Sequence, residues 1–138
     1  MLTPGPVPDR PSSARLWTCR VLGAVFVAAG VLHFLRPDAY VRIMPPYLPA
    51  PRALVFASGA AEIAGGLGLW FGRLRPAAAW GLAALLVAVL PANVEMARRP
   101  ALAPGIPAWA LWARLALQPL LIALVLWAGR RTRRTFRR

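Results

Sequence analysis

Lysine is missing from this sequence, cysteine and histidine occur once each, and only four residues carry a carboxylate. Each shortage excludes some chemistry. The lone Cys19 has no partner for an internal disulfide or a C-x-x-C redox pair, so it reads as a packing or lipid-facing side chain. One histidine and four scattered acids give neither a metal-ligand spacing nor a nucleophile beside a base. No haem or flavin motif is present either, so no metal or resident cofactor is evident.

What the sequence has in excess is apolar surface. Hydrophobic residues make up 59% of the 138 residues, and mean hydropathy is positive, which does not fit a soluble domain of this length. Four apolar runs follow one another over residues 16–35, 53–72, 76–96 and 107–128. Runs of about 20 residues, at roughly 1.5 Å rise per residue, match a hydrocarbon core about 30 Å thick. The first run is too long for a signal peptide, lacks a small-x-small cleavage site and precedes three more, so it reads as a retained span. The expected fold is an all-α, integral membrane four-helix antiparallel bundle. Residues 1–15 would form a disordered cytoplasmic N-terminus, 16–128 the four-span domain and 129–138 an Arg-rich cytoplasmic tail.

All 17 basic residues are arginine, and the net charge is +13. In a soluble chain that balance would suggest nucleic acid. Here the arginines cluster between and outside the apolar runs, where lipid headgroups and topology account for them, and no nucleic-acid partner is expected. Arg10, Arg15 and Arg20, the turn residues Arg73 and Arg75, and the six arginines of the tail put eleven on one side. Arg36, Arg42, Arg52, Arg98 and Arg99 put five on the other. The positive-inside rule then predicts both termini in the cytoplasm. The tail "RRTRRTFRR" is expected to attract anionic lipid at roughly 1 kcal/mol per arginine.

The turns agree with this division. Pro37 closes the first run, and Pro51, Pro76 and Pro107 stand at first-turn positions, where a missing N–H removes no helical bond. The link "GRLR" is short enough to make spans two and three antiparallel neighbours. Residues 36–52 form a longer proline-rich loop expected to lie in the outer interface. Trp17, Trp70, Trp80 and Trp127 fall at one headgroup depth, and Trp109, Trp112, Tyr40 and Tyr47 at the other, forming two aromatic belts.

Inside the apolar runs the polar exceptions carry the chemistry. Glu62 stands in "ASGAAEIAGGLGLW", near mid-membrane, where an ionised side chain costs on the order of 3 kcal/mol unless it is paired, protonated or turned inward. Ser58, Gly59, Gly65 and Gly66, one turn to either side, suit close helix packing and turn Glu62 toward the bundle. Arg114 in "ARLALQP" enters from the same side at a similar depth, so a Glu62–Arg114 ion pair is predicted, with Gln118 on the same face as Arg114. His33 near the end of span one and Asn93 near the end of span three complete one contribution from each helix to an outer-half pocket. Pro91 and Pro119 free the carbonyls of Val87 and Leu115, which need new partners. Simpler roles stand beside these. His33 can be an interfacial side chain, Asn93 a cap or cross-helix bond, Glu95 a solvated neighbour of Arg98 and Arg99, and Glu62 with Arg114 a purely structural pair.

At these residues the sequence resembles the DoxX-like family of small four-helix bacterial membrane proteins. The likeness rests on "AGVLHFLRPDAYVRIMPPYLPAP", "SGAAEIAGGLGL", "PANVEMA" and "RLALQ" and covers roughly residues 20–128. The family often has a proline between the leucines of the last motif, where this chain has Ala116. The resemblance implies an inner-membrane protein related to subunits of quinone-linked oxidases and thiosulfate:quinone oxidoreductases, and it supplies no catalytic residue. Relatives that handle thiols need cysteines this chain lacks.

The leading expectation is a redox-associated subunit that binds a quinone or similar amphipathic molecule. Arg114, His33 and Asn93 would donate to carbonyl oxygens, and Glu62 would orient Arg114 or relay protons. Any electron donor would then be a membrane or redox partner protein. One alternative is a non-catalytic accessory or assembly subunit whose Gly-rich faces hold a partner helix. Another is a small proton-coupled transporter, which with four spans would need a homo-oligomer.

Overall fold

A computed structural model describes residues 12–131. The expectations for residues 1–11 and 132–138 lie outside the described residues. The chain is all-α. Ser13–Leu35 forms α1, Pro37–Arg42 α2, Pro51–Trp70 α3, Arg75–Ala88 α4, Leu90–Arg98 α5 and Ala108–Gly129 α6, with a 3-10 turn at Pro100–Leu102. Four stretches are long and apolar enough to cross a membrane: α1, α3, α4 with α5, and α6.

Local chemistry explains where each helix begins. Ser12 accepts from the Arg15 backbone N–H at 3.4 Å, so α1 starts at Ser13 and takes in the last residues of the expected N-terminal segment. Pro37 and Pro51 open α2 and α3 at first-turn positions. The third span is not one uninterrupted helix. Pro91 has no N–H for the Val87 carbonyl and its ring crowds the preceding turn, so α4 ends at Ala88 and α5 resumes at Leu90. Pro119 lies inside α6 without dividing it.

Residue pairing gives the order of the helices. Gly23 lies against Gly66, and Gly30 against Gly59, so numbers rise along α1 as they fall along α3. Gly65 meets Leu82 and Gly68 meets Ala78, which makes α3 and α4 antiparallel as well. Gly129 packs on Ala79, bringing α6 antiparallel to α4, and Cys19 reaches the Ala128 carbonyl to close the ring between α1 and α6. The spans therefore run in a ring, with α3 and α6 on opposite corners. The chain's four crossings leave the starts of α1 and α4 and the ends of α3 and α6 at one end of the bundle.

Two apolar clusters lie along the axis. Leu22, Phe26, Leu69, Leu82 and Val125 form the larger, toward the end that holds Ser13 and Gly129. Met96, Ala97 and Leu111 form the smaller, at the opposite end. Along α6 the order is Leu111, Gln118, Val125, and along the third span it is Leu86, Asn93, Met96, so a polar layer separates the clusters.

Candidate functional site

The polar layer is built on a close approach of two helix backbones. A Cβ on Gly30 would stand 2.5 Å from the Gly59 carbonyl oxygen, and one on Gly59 would stand 2.7 Å from the His33 Cβ. Only glycine lets the α1 and α3 backbones approach this closely. One turn beyond Gly59, Glu62 faces the end of α1, and its Oε2 lies 3.3 Å from His33 Nδ1. Both side chains are nearly buried. His33 Nδ1 lies 3.0 Å from the Ala29 carbonyl, the arrangement of a ring N–H donating one turn back. Glu62 Oε2 has no hydrogen-bond partner among the described residues.

Tyr40 covers the other face of His33, with ring centroids 3.8 Å apart and planes 24° from parallel. It belongs to α2, just outside the spans, and its phenol is pushed above its ordinary range by burial first and by the Glu62 carboxylate second, while Arg114 acts in the opposite direction. Tyr40 was expected only as an interfacial aromatic. Its spacing of seven from His33, two helical turns, was the signal for a shared face, but Pro37 between them made the continuation of that face unreadable.

A second polar group links α5 to α6. Asn93 Nδ2 donates to Gln118 Oε1 at 3.1 Å, and Gln118 Nε2 donates to the Leu86 carbonyl at 2.5 Å. The break before Pro91 was expected to leave the Val87 carbonyl in need of a partner. The carbonyl that recruits a side chain is Leu86, one residue earlier. Asn93 and Gln118 are both buried.

Between these groups lies a cavity of about 540 Å³. Glu62 lines it from α3, Asn93 from α5, and Arg114 and Gln118 from α6. Leu86, Leu117, Leu121 and Leu124 supply apolar wall. Four of the five candidate residues thus face one space. His33 is not in its wall and stands behind Glu62.

The predicted Glu62–Arg114 ion pair is not formed: among the described residues Arg114 has no carboxylate within 4.0 Å. The reason is the ring order, which sets α3 and α6 on opposite corners with the cavity between them. Depth contributes too, since Glu62 lies about 16 Å along α3 and Arg114 about 9 Å along α6, each from its own helix start. Arg114 instead borders both this cavity and a second one of about 370 Å³ that Tyr40 and Arg36 also line.

The remaining polar residues take structural positions. Glu95 pairs with Arg99 at 3.2 Å, one turn along α5, and Asp38 lies 3.6 Å from Arg52, tying α2 to the start of α3. Cys19 is buried and donates its S–H to the Ala128 carbonyl at 3.3 Å, a packing role. Among the described residues no group of three or more His, Cys, Asp or Glu side chains gathers in a form that holds a metal ion.

Together these features define a four-helix, multi-pass membrane protein with a mostly apolar cavity between three of its spans. A family model described as "Domain of unknown function (DUF8561)" matches residues 22–130, a stretch from within α1 to just past α6. The chain belongs to that family. No curated protein matches it, and no solved structure does.

Proposed function

We propose that the cavity between α3, α5 and α6 binds a quinone or similar amphipathic small molecule, and that the protein is a redox-associated subunit of a bacterial inner membrane with both termini in the cytoplasm. The observation that carries this reading is the chemistry of one space: apolar leucines on most of its wall, and Glu62, Arg114, Asn93 and Gln118 on the rest. Small-molecule sites have this composition, a mostly apolar lining with a few convergent polar groups. The volume suits a ring with part of an apolar tail.

The donor set fits the group. The Arg114 guanidinium carries N–H donors for a quinone carbonyl oxygen, and Glu62 Oε2, buried without a partner, accepts from a hydroxyl. Asn93 and Gln118 are held by each other and by Leu86, which fixes their exposed edges toward the ligand. His33 acts from behind, positioning Glu62 rather than touching the ligand. A quinone, when bound, would supply the two-electron chemistry that these side chains lack. The relationship to DoxX-like proteins belongs to this same proposal.

The Gly-rich faces that an accessory role would have offered to a partner helix are consumed inside the bundle. Gly23, Gly30, Gly59 and Gly66 join α1 to α3, and Gly65 and Gly68 pack on α4. The test is mass spectrometry of small molecules extracted from protein purified gently from native membranes. Wild type is expected to retain a quinone that Glu62→Gln and Arg114→Ala lose while staying folded. Equal retention in all three, or none in any, would reject the site.

A further inference from the structure

The opposite end of the bundle holds a second pocket with a different chemistry. Its volume is about 190 Å³, and Arg15, Arg73, Arg75, Arg130 and Arg131 contribute to its wall together with Gly72. These arginines come from three places in the chain: the start of α1, the α3–α4 turn and the end of α6. The antiparallel ring brings all three to one end.

Two of the arginines are held in place by backbone carbonyls. Arg15 donates through Nη2 to the carbonyls of Ala128 and Arg130, fastening α1 to the end of α6. Arg75 Nε donates to the Leu69 carbonyl at 3.0 Å, fastening the turn to the end of α3. The pocket's positive charge is left uncompensated among the described residues. Among the described residues none of its five arginines has a carboxylate within 4.0 Å, and the carboxylates of Asp38, Glu62 and Glu95 are engaged at the other half of the bundle. Arg15 Nε is buried without an acceptor among the described residues. The Gly72 and Arg73 N–H groups, at the pocket wall, have no backbone acceptor among the described residues.

We infer that this pocket binds a phosphate group, and specifically the head-group phosphate of an anionic phospholipid. Guanidinium forks match phosphate oxygens in pairs, and backbone N–H groups add donors that carry no competing charge. The pocket lies where helices begin and end, at headgroup depth. Beside it, and sharing Arg75, runs a crevice of about 380 Å³ whose wall is apolar at Leu16, Cys19, Leu69 and Trp70 and cationic at Arg20. A free phosphate ion has no use for that apolar wall, whereas the first methylenes of an acyl chain do. The site takes in Arg130 and Arg131, the first two arginines of the tail, and joins them to Arg15, Arg73 and Arg75 from the other two places in the chain.

Native mass spectrometry of the full chain, released from nanodiscs of phosphatidylcholine containing phosphatidylglycerol, tests the inference. The variant Arg73→Ala with Arg131→Ala removes two charges from the pocket but none of the carbonyl bonds made by Arg15 and Arg75. Arg36→Ala with Arg42→Ala removes equal charge at the other end. Wild type and the second variant are expected to retain phosphatidylglycerol, and the first to lose retention by about thirtyfold, from roughly 1 kcal/mol for each of two arginines. Equal loss in both variants would mean a general attraction of charge, and no loss in either would mean no site; both overturn the inference. Titration with inorganic phosphate separates the sources. Displacement of the lipid by millimolar phosphate, or phosphate binding without lipid retention, would overturn the lipid assignment.

Discussion

Glu62 is tied to the neighbouring helix α1 through His33, not to the arginine that sequence depth suggested, and this changes what its replacement should do. With Oε2 at 3.3 Å from His33 Nδ1, the two side chains are energetically coupled. A double-mutant cycle of His33→Ala and Glu62→Gln, read by thermal unfolding in detergent, should give an interaction energy of about 0.5–3 kcal/mol. The parallel cycle of Glu62→Gln with Arg114→Ala should give a smaller interaction energy, since the two line one cavity without touching. Coupling to Arg114 with none to His33 would reverse the assignment. At this scale much of the site was legible: an acid in an apolar run must face inward, and Glu62, Asn93, Arg114 and Gln118 do share one cavity. The partner was not legible, because depth along a helix says nothing of which corner of the ring the helix occupies. Tyr40 and the Leu86 carbonyl were missed for a related reason, each lying within five residues of a proline that redirects the chain.

Between helices the decisive contact is glycine against backbone. A Cβ on Gly30 would approach the Gly59 carbonyl at 2.5 Å and Ile63 Cγ1 at 2.8 Å, whereas a Cβ on Gly81 meets nothing within 4 Å. Gly59→Leu should therefore force α1 from α3 and destabilise the protein by about 1–3 kcal/mol or more, as overpacking does. Gly81→Ala, facing open space, should be neutral or stabilising by up to about 1 kcal/mol from helix propensity. Similar melting shifts for both would mean that the α1–α3 approach is not where the bundle is held. The spans themselves were readable from run length and punctuation to within a few residues, because hydrocarbon thickness fixes length and prolines mark first turns. The division of the third span at Val89 was foreshadowed by Pro91, but whether a membrane helix kinks or divides at proline depends on which side chain takes over the freed backbone. Pro119 leaves α6 continuous, and Gln118 is occupied with Leu86 on the neighbouring helix.

The whole molecule separates its chemistry by depth. Among the described residues one end gathers arginines without carboxylates beside them, the middle holds a polar layer with a mostly apolar cavity, and the other end pairs its acids with arginine. That arrangement puts the cavity within reach of the bilayer interior and a cationic rim at the depth where the helices begin and end. The sequence foretold the charge asymmetry, but the cavity arises only because α3 and α6 stand at opposite corners. The most direct measurement of the central claim is photolabelling of the membrane-embedded protein with a photoreactive quinone analogue, followed by peptide mapping. Adducts within residues 109–124, protected by unlabelled quinone and diminished in Arg114→Ala, are the expected result. Labelling that unlabelled quinone does not suppress, or that falls on lipid-facing α1 instead, would contradict it.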